Sequence, residues 1–91
     1  MAAPIHNAVL TAHARSEMAR RGVTTTTVAS VLAAPEQRLH VRAGRDVLQS
    51  RIVIGGRIYL VRVFVDIDRN PPEVVTAYCT SKVAKYWSPG P

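Results

Sequence analysis

Two polar stretches carry most of the chain's capacity for chemistry. One is Thr11-Ala12-His13-Ala14-Arg15-Ser16-Glu17-Met18-Ala19-Arg20-Arg21-Gly22, and the other is Thr76-Ala77-Tyr78-Cys79-Thr80-Ser81-Lys82-Val83-Ala84-Lys85-Tyr86-Trp87. Between them they supply an imidazole, guanidinium and ammonium groups, hydroxyls and phenols, the groups that move protons and grip phosphate. Cleaving RNA without a metal needs a base for the 2′-hydroxyl proton, an acid for the departing 5′-oxygen and cations for the phosphorane charge. A fold that draws its two ends together places His13, several Arg and Tyr78 near one surface and assembles that set.

His13 is the acid/base candidate, because imidazole titrates near neutrality. It sits one step from the Leu10, Ala14 and Met18 stripe, so it borders the core. Locking the helix to the sheet by a hydrogen bond is its plainer role. Arg51 and Arg62 can clamp a scissile phosphate, Thr76 can hydrogen-bond a non-bridging oxygen, and Tyr78 can donate a proton or stack on a base. Arg62 is the most informative of these, since it interrupts Leu60 and Phe64 in an otherwise apolar strand. Its plainer alternative is pairing with Asp66 or Glu73 on a solvated face.

Arg15, Arg20, His40, Arg42, Gln49, Ser81, Lys82 and Lys85 are expected to extend the contact with nucleic acid. If Ser81 starts a helical turn, its free backbone N–H groups make an anion site. The same stretch also reads as a cap before a surface helix, with Tyr86 and Trp87 anchoring the C-terminus in the core. His40 alternates with Arg38 and Arg42 on an edge strand, where a basic edge discourages aggregation. His6, in the leading segment, is a weaker candidate. The three His lack metal-ligand spacing, and neither a metal nor a cofactor is expected. Cys79 should point away from Tyr78 into the core, as a packing residue.

The elements that must position these groups follow from periodicity. Residues 1–9 read as a loose leading segment. Thr11 caps a helix to about Arg21 and Gly22 stops it; Thr24 or Thr25 caps a second helix that buries Val28, Val31 and Leu32 and ends before Pro35. The period then changes to two, over 37–42, 46–54, 57–67 and 73–79, with turns at Ala43-Gly44-Arg45, Gly55-Gly56 and Asp68-Arg69-Asn70-Pro71-Pro72. The expected fold is α+β: two N-terminal helices on a four-stranded antiparallel meander, with a short C-terminal helical tail. In such a meander Gln49, Arg51, Arg62, Thr76 and Tyr78 share one face.

At 91 residues and 47% hydrophobic content, the chain suits one domain spanning 1–91, with 1–9 and 88–91 flexible. The single cysteine excludes an internal disulfide and makes a reducing cytoplasm the expected setting. No apolar run approaches the roughly 20 residues of a membrane span, and the start lacks a signal-peptide pattern. The net charge is +6, and ten of the twelve basic residues are Arg. Arginine's planar fork matches phosphate and stacks on bases, so a polyanion is the expected partner, against the alternative of a merely soluble basic protein.

The His-Ala-Arg-x-x-Met-x-x-Arg-Gly opening, the Gly55-Gly56 hairpin and the closing Val75-Thr76-Ala77-Tyr78-x-Thr80-Ser81-Lys82-x-x-Lys85-Tyr86-Trp87 resemble a bacterial and phage family of small domains of unknown function. The resemblance runs from Leu10 to Trp87. That family is in turn similar to the metal-independent ribonuclease superfold of barnase, the EndoU nucleases, certain colicins and the RelE-type toxins. The resemblance implies a toxin-like endoribonuclease whose active groups come from a helix and the sheet's open face. It also implies RNA as substrate and, as partner, an acidic antitoxin or immunity protein that covers the Arg-rich face. Two other readings stay open: a non-catalytic nucleic-acid-binding module, and an accessory protein whose edge strand pairs with a partner's.

Overall fold

A computed structural model describes residues 2–89. In chain order the elements are β1 (Val9–Leu10), α1 (Ala12–Arg21), α2 (Thr25–Ala33), β2 (Gln37–Arg42), β3 (Arg45–Ile54), β4 (Arg57–Asp66), β5 (Glu73–Thr80) and α3 (Val83–Tyr86). Both long helices start and stop on local chemistry. Thr11 Oγ1 accepts from the Ala14 N–H at 3.0 Å, and Thr24 Oγ1 accepts from Thr27 N–H at 3.1 Å. Gly22 ends α1 in the left-handed region, φ 70°, with Arg20 and Arg21 at the negative end of the helix dipole.

The sheet order is β1-β5-β4-β3-β2, so it has five strands where four were expected. β2 to β5 form the antiparallel meander, and β1 adds a parallel edge through Val9↔Glu73 and Leu10↔Val74. Two residues are too few for alternation to reveal a strand. The leading segment is therefore tied down rather than loose. Ile5 is buried and its N–H donates to the Leu32 carbonyl at 2.9 Å, while Val9 N–H donates to Pro72 at 2.9 Å. The Thr11 hydroxyl that caps α1 also donates to the Val74 carbonyl at 3.1 Å. At the other end Ser88 is hydrogen-bonded to Gln37, so the expected fraying does not begin there; residues 1, 90 and 91 lie outside the described residues.

α1 and α2 cover one face. Ala14, Met18, Val28, Val31 and Leu32 meet Leu48, Val61, Val63, Val65, Val74 and Ala77, with Cys79 packed alongside as expected. Burial pushes the Cys79 thiol up from its ordinary range. An irregularity between Phe64 and Val65 inserts Val75 into β5, which lets both Val74 and Ala77 face the helices. Leu48 is fully buried at the centre of this layer. Leu48→Ala should cost about 2–5 kcal/mol, a large share of the about 5–15 kcal/mol typical of a domain, and a urea unfolding curve would show it as a lower midpoint. No helix of the described residues is long and apolar enough to cross a membrane.

The Gly55-Gly56 turn sets the register Ile54↔Arg57 that runs up the sheet. It places Gln49 opposite Arg62, and the β4–β5 ladder adds Tyr78 to that row of the face turned away from the helices, flanked by the rows Arg51–Leu60–Thr80 and Val47–Phe64–Thr76. At the far end of this face, Arg45 holds Asp66 bidentately at 2.7 and 3.2 Å. The hydrogen bonds from Arg45 keep the Asp66 carboxyl below the usual carboxylate range. Because the folded pKa is depressed, the stability this pair contributes is present above the unfolded carboxylate pKa of about 3.9. It is lost as pH falls through the folded value. Asp66→Asn should lower stability at neutral pH and flatten the acid limb of a melting-temperature-against-pH series.

Candidate active site

Arg62 is the centre of the open face. Its Nε donates to Gln49 Oε1 at 2.8 Å and its Nη1 to the Tyr78 hydroxyl at 2.8 Å. The guanidinium carbon lies 4.5 Å from the centroid of the Tyr86 ring and 5.2 Å from that of Phe64. Phe64 and Tyr78 stack at 6.0 Å, and Tyr86 meets Tyr78 edge-on at 6.1 Å. Asp66 is taken by Arg45, and Arg62 forms no ion pair among the described residues. A half-buried guanidinium held by neutral partners and π faces keeps its full charge for an incoming anion.

Gln49, itself fully buried, is what fixes Arg62. Its carboxamide oxygen takes the Arg62 bond, and its nitrogen donates to Gln37 Oε1 at 2.8 Å and to the Tyr86 carbonyl at 3.1 Å. Gln37 in turn donates to the Ser88 carbonyl at 2.7 Å and accepts from Ser88 N–H at 3.1 Å. Two side-chain amides thus strap the segment after β5 across the open face. Among the described residues no buried side-chain polar atom lacks a partner, so the arrangement is fully specified.

This strap corrects the expectation for Tyr86 and Trp87. They do not anchor in the helix-side core; they lie half-buried on the opposite face, Tyr86 beside Arg62 and Trp87 over Arg51 at 4.2 Å. The Lys85 ammonium, 5.2 Å from the Tyr86 ring centroid, holds the Tyr86 hydroxyl below the usual tyrosine range. The Tyr78 hydroxyl and the Arg62 charge act in the same direction, and burial opposes them. Tyr86 is the functional candidate that reading the sequence missed. Its signal was the adjacent Lys85, the last cation of the Thr80-Ser81-Lys82-x-x-Lys85 segment.

The expected catalytic set is only partly brought together. Arg62 and Tyr78 touch. Arg51 shares their face, but Glu36 holds it at 2.8 and 3.1 Å and also accepts its backbone N–H at 2.7 Å. That neutralises Arg51 as a phosphate clamp, and the same hydrogen bonds hold the Glu36 carboxyl below its usual range. Thr76 lies one row away, its hydroxyl accepting from Arg21 Nη1 at 3.1 Å; Arg21 also donates to the Ala77 carbonyl at 3.3 Å, closing the β5 edge beyond β1. His13 is exposed on α1, in the helical layer, while Arg62 faces the other side of the sheet. Burying Ala14 and Met18 against β5 forces that separation.

The expected nucleic-acid contacts divide similarly. Arg15 and Arg20 are exposed on α1, Arg20 paired with Glu17. His40 Nδ1 lies 3.5 Å from Asp46, and Arg42 follows an irregularity at the end of the outer strand, so neither joins the Arg62 row. Lys82 and Lys85 flank the strap and are exposed. Ser81 does not start a helix. α3 is a single turn preceded by Lys82, without a side-chain cap, and Lys82 N–H is spent on Thr80 Oγ1 at 3.1 Å. The anion site expected there is not formed.

The sequence profile of the family described as Domain of unknown function (DUF4258) matches residues 10–79. A search of the curated proteins and of the solved structures finds no match to the chain.

Proposed function

This chain belongs to the DUF4258 family, and we propose that it acts on RNA, as a metal-independent endoribonuclease working from the open face of its sheet. The observation that carries the reading is Arg62: a half-buried guanidinium with no carboxylate partner among the described residues, fixed between Gln49 and Tyr78 and bordered by a tyrosine of lowered pKa. Phosphate is the anion such a fork fits. Tyr86 as phenolate takes the 2′-hydroxyl proton, and the 2′-oxygen attacks phosphorus. Arg62 and Lys85 offset the charge of the phosphorane. The bond to the 5′-oxygen then breaks, and Tyr78, whose oxygen accepts from Arg62, protonates the leaving oxygen. The products are a 2′,3′-cyclic phosphate and a 5′-hydroxyl. An acidic antitoxin or immunity protein would silence the chain by covering this face.

Incubating the purified protein with total RNA in EDTA tests the reading. Cleavage to cyclic-phosphate ends is expected in the wild type and in His13→Ala, and background alone in Arg62→Ala. Intact RNA with the wild type sinks the nuclease reading. RNA that is bound but not cut leaves a binding module, the reading that the remoteness of His13 from Arg62 favours.

A further inference from the structure

The open face continues past Arg62 toward the Gly55-Gly56 turn. One row along stand Arg51 and Leu60, and the next row is Val53 directly opposite Ile58. Each two-residue step along a strand is about 7 Å. Leu60 is fully buried, but Val53 and Ile58 are 70% and 54% exposed. One row back, Trp87 lies on the Arg51 guanidinium, which Glu36 holds in place. An exposed valine or isoleucine by itself is ordinary surface. Here two are paired face to face, in line with a stacked tryptophan and, beyond it, the Arg62 guanidinium. The exposed cations Lys82 and Lys85 lie on the segment that carries Trp87, whereas Asp66 and Glu73 lie at the other end of the ladder.

We propose that this run, Trp87 with Arg51 followed by Val53 and Ile58, is a platform for the unstacked bases of single-stranded RNA next to the phosphate held by Arg62. The inference rests on the RNA reading above and narrows it to a substrate class. A flat ring stacks on indole and on aliphatic groups whatever the base, so the platform is tolerant of sequence. Duplex RNA cannot use it, because A-form bases are stacked on one another and present edges rather than faces. The neutralised Arg51–Glu36 pair, useless as a phosphate clamp, serves here as a rigid backing for the indole.

Trp87 is the only tryptophan, so its fluorescence reports on the platform directly. The probe is a 2′-O-methyl oligouridylate, which cannot be cut, compared with a blunt 2′-O-methyl duplex of equal length and with inorganic polyphosphate. The single strand should quench Trp87 saturably, and neither duplex nor polyphosphate should. Val53→Ser/Ile58→Ser, at two exposed positions, should weaken single-strand binding about tenfold by anisotropy of a labelled strand, with an unchanged circular dichroism melt. Equal quenching by duplex, unchanged affinity in the double variant, or no binding of any RNA overturns the proposal. Because the probe is uncleavable, a protein that never cuts RNA can still pass this test, and a nuclease with no platform can fail it.

Discussion

Arg62→Ala should reduce EDTA-resistant RNA cleavage by about 10²–10³-fold, the scale seen when a preorganised charge-stabilising donor is removed from an active site. The expectation rests on the isolation of this guanidinium. It meets Gln49, Tyr78 and the Tyr86 ring, and no acid among the described residues competes for it. Arg62→Lys should recover little, since one ammonium cannot span the Gln49 oxygen and the Tyr78 hydroxyl as the planar fork does. Loss of Arg62 also leaves the buried Gln49 carboxamide oxygen without its donor, a cost of about 1–3 kcal/mol. Single-turnover rates taken well below each variant's melting temperature separate the two effects. Cleavage by Arg62→Ala at the wild-type rate would remove the open face from the mechanism.

Tyr86→Phe should lower cleavage by about 10²–10⁴-fold, the range of a general acid or base, while leaving RNA affinity close to that of the wild type. The ring stays over Arg62 and only the hydroxyl is lost. The pH profile supplies a sharper reading. A tyrosine acting as base works when deprotonated, so the rate rises with pH through its pKa. Lys85 is the largest cause of the lowered value. Lys85→Gln should therefore move the rising limb to higher pH and reduce the rate at neutrality, and Tyr86→Phe should erase the limb. A limb that stays in place in Lys85→Gln would mean that another group titrates.

Much of this arrangement was legible in the sequence. Thr11, Gly22 and Thr24 marked helix ends through hydrogen-bonding and backbone chemistry that act within a few residues. The two-glycine turn set a register from which Gln49 opposite Arg62 follows, because parity carries across an antiparallel ladder, and the β4–β5 pairing adds Tyr78 to the row. The side of the sheet on which His13 falls was also implicit: Val61, Val63 and Val65 form the more apolar face, so helices cover it and Arg62 turns away. What stayed hidden depends on partners far along the chain. β1 is defined only by pairing with residues about 64 positions later, and the path of the strap only by Gln37 and Gln49 reaching Ser88 and Tyr86. Nothing local distinguishes a one-turn helix on the open face from one folded into the core.

The strap has a consequence for inheritance. The part of the chain that matches its family ends at residue 79, which includes Arg62 and Tyr78 but not Lys85, Tyr86 or Trp87. Arg62, Gln49 and Tyr78 thus lie on the matched sheet, while the Tyr86 phenol and the indole lie on a short appendage held by two glutamines. Side-chain changes on that appendage would alter the groups beside Arg62 while leaving the helix-side core as it is, much as a tool is changed while its handle is kept.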